Sequence, residues 1–429
     1  MGKDLVKVGL VGTGTIGGGV VDLLKRNGSS INEKIGFKLA LGRVADRDAA
    51  RLQALKLDKS KLTTEANDVL EDPDIDIVIE LIGGLEPARS FITKALENGK
   101  YVVTANKDLM ATHGEELLAL ASENNRNIFY EASVGGGIPL IRPLKYSLVA
   151  DRVQRLVGIV NGTTNYIFTR MAQDELSLED ALSEAQKFGF AEPDPTNDVE
   201  GLDAAYKLVI MANLAFGKKA DLEHISVQGI RGVTYEDIAY AREIGYTIKL
   251  LAIGEDLPGG LALRVHPTLV PLEHPLASVL NELNAVFVEA EAVREVMFYG
   301  PGAGPLPTAT AVLADVVEAA RCIRFEIANG VIESKLKETD FVPIDDLEVR
   351  FYLRFLAEDR AGVFAALANA FSDEGVSLDM IIQKRRVGSM AEIVLVTHEV
   401  NEKAFHRALN KVMDISAIKP EPSIIRLLS

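Results

Sequence analysis

The chain has 429 residues, 48% of them hydrophobic and 25% charged, which is enough for two or three domains with cores of their own. Its 46 basic and 62 acidic side chains leave a formal charge of −16, a field that repels nucleic acid and anionic membranes and argues against either as a partner. One cysteine, Cys322, excludes an intrachain disulfide and fits a reducing cytoplasm, and no apolar run approaches the ~20 residues that span a bilayer.

Residues 5–11, LVKVGLV, alternate and then run apolar, as a buried parallel strand does. A glycine turn leads from them into a helix, and residues 26–36 read as an extended connection. Strands follow over 37–45 and 74–84, then a helix over 87–100, a strand over 101–106, a helix over 115–125 and a strand over 127–134. This alternation predicts a doubly wound parallel sheet of the Rossmann type, an α/β domain over residues 1–131.

The pattern changes near residue 132. SVGGGIP predicts a glycine turn leading to a helix around 139–148, followed by a strand over 153–161 and helices over 178–188 and 201–216. LALRVHPTLVP and AVFVEAEAV add strands of a second sheet, giving an α+β domain over 132–304. A loop and a long apolar helix follow, and that helix, over 305–330, is expected to pack back onto the first domain. Cys322 lies within it and reads as a buried structural thiol. Residues 335–348 are polar and aperiodic and read as a linker. Residues 349–429 give a β-α-β-β-α-β order, the ferredoxin-like arrangement.

Gly12-Thr13-Gly14-Thr15-Ile16-Gly17 matches G-x-G-x-x-G between a buried strand and a helix, the setting in which the motif cradles a dinucleotide. Gly12 allows the tight turn, Gly14 a close approach to pyrophosphate, and Gly17 close helix–strand packing. At the end of the second strand Asp46 suits a ribose 2′-hydroxyl, favouring NAD, and Arg47 suits a 2′-phosphate, favouring NADP; the sequence leaves both open. Thr104-Ala105-Asn106-Lys107 closes a parallel strand, where ligands gather.

AEPDPTNDVEGLDAAYK, residues 191–207, brings five carboxylates to the head of an apolar helix. Asp203 and Lys207 share a helix face, which fits either a surface salt bridge or an acid–base pair. The carboxylates lack the glycine and spacing of a calcium loop. In EASVGGGI one carboxylate and a turn of carbonyls could hold a hard ion or form only a turn. Asn161-Gly162-Thr163-Thr164-Asn165 offers small donors, or a cap for the helix that follows.

Taken together, GLVGTGTIGGGV, ELIGG, VTANK, EASVGGGIP, NGTTNYI, AEPDP…GLDAAYK and GPGAGPLPTATAVLAD closely resemble homoserine dehydrogenase, in the long form with a C-terminal ACT domain, over nearly the whole chain. The resemblance implies reversible hydride transfer between L-homoserine and L-aspartate 4-semialdehyde with NADP or NAD. It implies Lys207 as proton donor and acceptor, with Asp203 and Lys107 assisting. It places Glu192, Asp198, Asp203, Lys107, Gly162 and Thr163 around the substrate. The cofactor is assigned to Gly12, Thr13, Gly14, Thr15, Ile16, Gly17, Asp46, Arg47, Gly83, Thr104, Lys107 and Gly302. A sodium ion is assigned to Glu131, Val134, Gly136 and Ile138, mostly through backbone carbonyls. The residues 132–304 become the substrate-binding and dimerisation domain. Residues 349–429 become an ACT domain with threonine as the implied effector at Asp359, Ala361, Gly362 and Val363, and a homodimer or homotetramer is implied.

Overall fold

The computed structural model describes residues 3–327, 335–419 and 422–428. The chain forms two compact units: Met1–Val153, Tyr206–Leu222 and Ala290–Glu338 make one, and Gln154–Ala205, Glu223–Glu289 and Thr339–Ser429 the other.

In the first unit six strands form a parallel sheet: β1 (Leu5–Val11), β2 (Lys38–Ala45), β3 (Leu62–Thr63), β4 (Ile77–Glu80), β5 (Tyr101–Thr104) and β6 (Ile128–Phe129), in the order β3-β2-β1-β4-β5-β6. The order reverses between β1 and β4, which is where α/β sheets of this kind open to ligands. β4 and β5 are buried at every position, which explains their unbroken apolar runs.

The helix after the glycine turn is longer than the sequence suggested. It runs Thr15–Ile35 and absorbs the stretch expected as a connection, because nothing before Gly36 ends it; Gly36 then takes φ 79° and donates to Asn32 O. The helix expected over 115–125 starts earlier, at Lys107, because the Asn106 side chain accepts from Leu109 N and caps it. The strand expected over 127–134 shrinks to Ile128–Phe129, since the chain turns at Glu131–Ser133. The helix expected over 139–148 is a single wide turn, Pro143–Ser147.

Helix Pro305–Arg324 buries Ala309, Val312, Val316 and Ala319 in the same core as Val8, Leu10, Ile77 and Val103. Gly19 permits this contact, since a Cβ there would lie 2.5 Å from Pro305 O. Cys322 is buried in that core, and burial pushes its thiol up. The expected end of this helix, residues 328–330, lies outside the described residues.

The second unit begins with β7 (Val153–Ile159), β8 (Ile225–Val227), β9 (Tyr246–Leu257), β10 (Gly260–Pro271) and β11 (Leu283–Ala290). After β12 (Arg294–Pro301), in the first unit, it continues with β13 (Glu348–Val349), β14 (Phe351–Glu358), β15 (Leu378–Val387), β16 (Met390–Thr397), β17 (Val400–Asn401) and β18 (Ser423–Leu427). Its main sheet has the order β11-β7-β9-β10-β18-β14-β16-β15, with β8 against β10. β14, β15, β16 and β18 with helices Val363–Ser372 and Glu402–Met413 are the expected ferredoxin-like block.

That block is not a separate sheet. β18 lies parallel to β10, with Thr268 opposite Arg426 and Leu269 opposite Leu427, so β10 satisfies an edge that would otherwise be open. Part of the expected linker is docked as well. Leu261 bridges Phe341, and Val342, Ile344 and Leu347 join the core of the block.

A buried polar network fastens the same seam. Arg354 on β14 donates to Asp237 Oδ1 at 2.6 Å, Thr234 Oγ1 at 2.9 Å and Glu392 Oε1 at 3.0 Å. Tyr240 donates to Glu392 Oε2 at 2.7 Å, and burial with that hydrogen bond pushes its hydroxyl up to about 12. Thr234, Asp237 and Tyr240 belong to the capped helix Tyr235–Glu243, so this helix and the ferredoxin-like sheet share one set of charges.

Candidate active site

The glycines at the head of the first helix have different duties. Gly12 takes φ 98°, and a Cβ there would meet Leu81 O at 2.6 Å. A Cβ on Gly17 would meet Gly12 O at 2.1 Å, so this glycine holds helix and strand together. Gly14 instead faces open space, with Arg51 Nη1 at 3.8 Å as the one heavy atom within 4 Å of a Cβ placed there. No side chain caps the helix at Gly14, which leaves its first amides for an anion. This open cradle fits a dinucleotide pyrophosphate. Thr15 is exposed there, and Ile16 packs on the core, so its contribution to a ligand would be backbone.

Asp46 closes the turn from the other side. Its Oδ2 accepts from Thr13 N and Thr13 Oγ1, both at 2.6 Å, and its Oδ1 accepts from Asp48 N at 2.9 Å. Burial works to raise this carboxyl, but the Thr13 hydroxyl and the Asp48 and Thr13 amides outweigh it and hold it below the ordinary value. Arg47, beside it, is exposed.

The carboxyl ends of β4 and β5 are tied through Glu80, a residue the motif reading did not single out. It is 1% exposed and accepts from Thr104 Oγ1 at 2.7 Å and Ile82 N at 2.8 Å. Burial raises its carboxyl against these bonds. Asn106 continues the network, donating through its side chain to Gly84 O at 2.7 Å and from its amide to Thr104 Oγ1 at 3.0 Å. The network shapes the Leu81–Gly84 loop beside the nucleotide turn, with Gly83 at φ 75°. Thr104 therefore acts on the loop through Glu80. Lys107 follows at the first helical position, its Nζ 3.7 Å from Asp108.

Glu131 is 2% exposed and accepts from the amides of Leu140, Ile141 and Arg142 at 2.6, 2.8 and 2.9 Å. Three of its roughly four acceptor directions are thus engaged. Its own amide donates to Asp315, whose carboxyl is pushed up to about 8 by burial, despite the neighbouring Arg142. The turn that Glu131 organises carries Val134, Gly136 and Ile138. Gly136 takes φ 55°, and a Cβ there would lie 2.4 Å from Gly302 O, so two residues assigned to different ligands pack directly on one another. Among the described residues no three His, Cys, Asp or Glu side chains are arranged to hold a metal ion; any cation at this turn would rely on carbonyls.

In the second unit Asn161 is the organising residue. It caps helix Gly162–Asp174 by accepting from Thr164 N at 2.8 Å. Its Nδ2 donates to Asp198 Oδ1 at 2.7 Å and Asp203 Oδ2 at 2.9 Å. Two carboxylates predicted at the substrate are therefore held together by one amide. Gly162 packs on Glu282 O, 2.7 Å from its would-be Cβ, and Thr163 donates its hydroxyl to Phe190 O at 2.6 Å. Neither residue has a side chain to give; what they offer a ligand is the backbone amides of the helix's first turn.

The acidic stretch sorts itself by partner. Asp194 accepts from the Thr196 hydroxyl at 2.6 Å, just before the turn Thr196–Val199, and that hydroxyl holds its carboxyl below the ordinary value. Glu200 pairs with Arg231. Both carboxylates are thus engaged by neighbours in the chain. Glu192 is exposed, and Gln186 fixes its carbonyl at 3.1 Å. Asp203 is buried in the first turn of helix Leu202–Phe216, which carries the half-buried Lys207 one turn later.

At the first turn of the ferredoxin-like block Gly362 takes φ 91° before helix Val363–Ser372, with no side-chain cap and open space around it. Asp359 pairs with Arg386 Nε at 2.8 Å, Val363 points into the core, and Ala361 is exposed.

Comparison with known proteins agrees along the whole chain. Residues 12–131 match the family description "Homoserine dehydrogenase, NAD binding domain", residues 139–317 match "Homoserine dehydrogenase", and residues 351–417 match "ACT domain". The homoserine dehydrogenase of Bacillus subtilis is 43% identical over 98% of both chains, and that of Synechocystis is 44% identical over 99% of this chain and 100% of the relative. The crystal structure of a homoserine dehydrogenase from Thiobacillus denitrificans superposes with a TM-score of 0.94 at 41% identity, covering 99% of this chain and 98% of that one.

Proposed function

The chain belongs to the homoserine dehydrogenase family, and on that premise we propose how its residues divide the work of interconverting L-homoserine and L-aspartate 4-semialdehyde with NAD(P). The setting we assign is cytoplasmic, in the branch that leads to threonine, methionine and isoleucine. The bound nicotinamide supplies or accepts the hydride.

Lys207 gives a proton to the substrate oxygen in the reducing direction and removes it in the oxidising one. Negative charge grows on that oxygen as the carbonyl is reduced, and an ammonium placed there stabilises it before donating. Asp203, fixed by Asn161, orients this chemistry. Asp198 and Glu192 take the substrate ammonium, the amides of Gly162 and Thr163 its carboxylate, and Lys107 assists near substrate and nicotinamide. The observation that carries the assignment is the double bridge from Asn161, which holds Asp198 and Asp203 at the head of the helix bearing Lys207. Lys207→Ala is expected to lose roughly 10²–10⁴-fold in turnover with thermal unfolding unchanged; a variant retaining activity would refute the role.

Two further assignments rest on family resemblance. Sodium is placed on the carbonyls of Val134, Gly136 and Ile138, with Glu131 holding their turn. Threonine is placed at the open turn Asp359, Ala361, Gly362 and Val363, in a homodimer or homotetramer.

A further inference from the structure

Glu192, assigned above to the substrate ammonium, sits on irregular backbone. Residues 189–195 belong to no helix or strand, and Glu192 itself is exposed. The segment is nevertheless tied down at several points. Helix Leu178–Phe188 ends at Gly189, whose φ of 77° turns the chain back, and Phe190 N then donates to Ala185 O at 2.9 Å. The Thr163 hydroxyl donates to Phe190 O at 2.6 Å, and the Phe190 ring packs on Tyr166 with centroids 4.7 Å apart.

Gln186 fastens the next two residues. From the last turn of that helix its Nε2 donates to Glu192 O at 3.1 Å and to Pro193 O at 3.3 Å. A side-chain amide has two N–H donors, so its whole donor capacity goes to these consecutive carbonyls. Pro193 fixes its own φ and confines Glu192, the residue before it, to extended backbone. The proline thus restricts the shape of the segment, and the glutamine fixes where it lies. A carboxylate held in place before an ammonium arrives binds it more tightly than one on loose chain, which would lose conformational freedom on binding.

We propose that Gln186 is a positioning residue for the substrate ammonium: by holding the carbonyls of Glu192 and Pro193 it keeps the Glu192 carboxylate presented to the substrate. The proposal rests on the reading of Glu192 as the ammonium's partner and adds the residue that holds it there. Gln186 acts through the backbone of Glu192 and takes no part in the proton or hydride transfer.

The test measures KM and kcat of the full chain for L-homoserine, and the inhibition constant of 4-hydroxybutanoate, which is homoserine without its amino group. The variants are Gln186→Met, Gln186→His, Glu192→Gln and the double variant Gln186→Met with Glu192→Gln. Gln186→Met, which removes both donors without adding charge, should raise KM about tenfold. Its kcat and its inhibition constant for 4-hydroxybutanoate should stay within about twofold of wild type, which also shows that the site is folded. Gln186→His keeps one N–H at about pH 8 and should recover part of the loss. In the Glu192→Gln background Gln186→Met should add almost nothing, because both changes remove the same interaction. An unchanged KM in Gln186→Met beside a raised KM in Glu192→Gln would overturn the proposal and leave the Glu192 reading standing. Equal weakening of homoserine and 4-hydroxybutanoate would overturn it too, since the glutamine would then support the fold and not the ammonium contact. If Glu192→Gln itself left KM unchanged, the reading of Glu192 would fail and this proposal with it.

Discussion

Replacing Asn161 by aspartate separates the two duties of this side chain. Aspartate is as good a helix cap as asparagine, so the bond from Thr164 N survives. The Nδ2 group, however, becomes an oxygen facing Asp198 Oδ1 at 2.7 Å and Asp203 Oδ2 at 2.9 Å. Two negative charges ~2.8 Å apart repel by about 6 kcal/mol at an effective dielectric constant of about 20. Taking up a proton at pH 7.5 by a group with an ordinary pKa of about 3.9 costs about 5 kcal/mol. The proton is the smaller cost, so the site captures one and the variant is destabilised by up to about 5 kcal/mol. The shared carboxyl then has a folded pKa above its unfolded value. Its deficit therefore shrinks by about 1.4 kcal/mol for each pH unit of acidification and grows as pH rises. Thermal unfolding of Asn161→Asp should fall by roughly 10 °C at pH 8 and approach that of wild type near pH 5, with a raised KM for homoserine. Asn161→Ala should be destabilised without that pH dependence. If Asn161→Asp matched wild type at pH 8, Asn161 would be a cap and nothing more, and the bridge would lose its functional meaning.

Other substitutions test other parts of the structure. Gly17→Ala, with its Cβ 2.1 Å from Gly12 O, should unfold the nucleotide unit at visibly lower temperature, whereas Gly14→Ala should fold normally and weaken coenzyme binding in a titration. Lys249 is buried, donating to Asn165 Oδ1 at 2.9 Å, and burial lowers its pKa to about 8. The folded state thus favours the neutral amine, so the penalty is fully present below pH 8 and disappears toward pH 10.4. Relative to Lys249→Met, wild type should gain about 3 kcal/mol across that window; a flat difference would contradict the assignment. Arg354→Met leaves the buried carboxylate of Asp237 without its guanidinium and Glu392 with Arg385 alone, and should cost about 3–5 kcal/mol in a denaturation measurement.

What the sequence revealed and what it hid follow from the range of the interactions. The parallel sheet was legible because β4 and β5 are buried on both faces and so read as unbroken apolar runs. Asp203 and Lys207 were legible because a helix places residues four apart on one face. The bridge from Asn161 was not, because its partners lie 37 and 42 residues away and no local pattern encodes their meeting. Glu80 left a trace, a single carboxylate in the run IVIEL, but its task depends on Thr104 across the sheet. The motif gave its three glycines different duties in sequence. The atoms around them show two steric requirements and one open face.

The seam between the ferredoxin-like block and the rest of its unit limits how an effector bound at Gly362 could act. A flexible tether would let the block move alone, but here β18 is hydrogen-bonded to β10. Arg354 also joins β14 to the fully buried Asp237, and Tyr240 donates to the buried Glu392 of β16. Swinging the block away at residue 349 would leave the buried Asp237 without its guanidinium and break the Tyr240–Glu392 bond, a cost above the 1–3 kcal/mol typical of allosteric coupling. Any effector would therefore have to act with the seam intact. Helix Tyr235–Glu243 and strands β10, β18, β14 and β16 would have to shift together, as a packed body with two arrangements. An effector can bias such a shift only by its difference in affinity for the two. Residues of the seam then become the place where effector sensitivity and stability are linked, and the turn at Gly362 the place where only sensitivity is at stake.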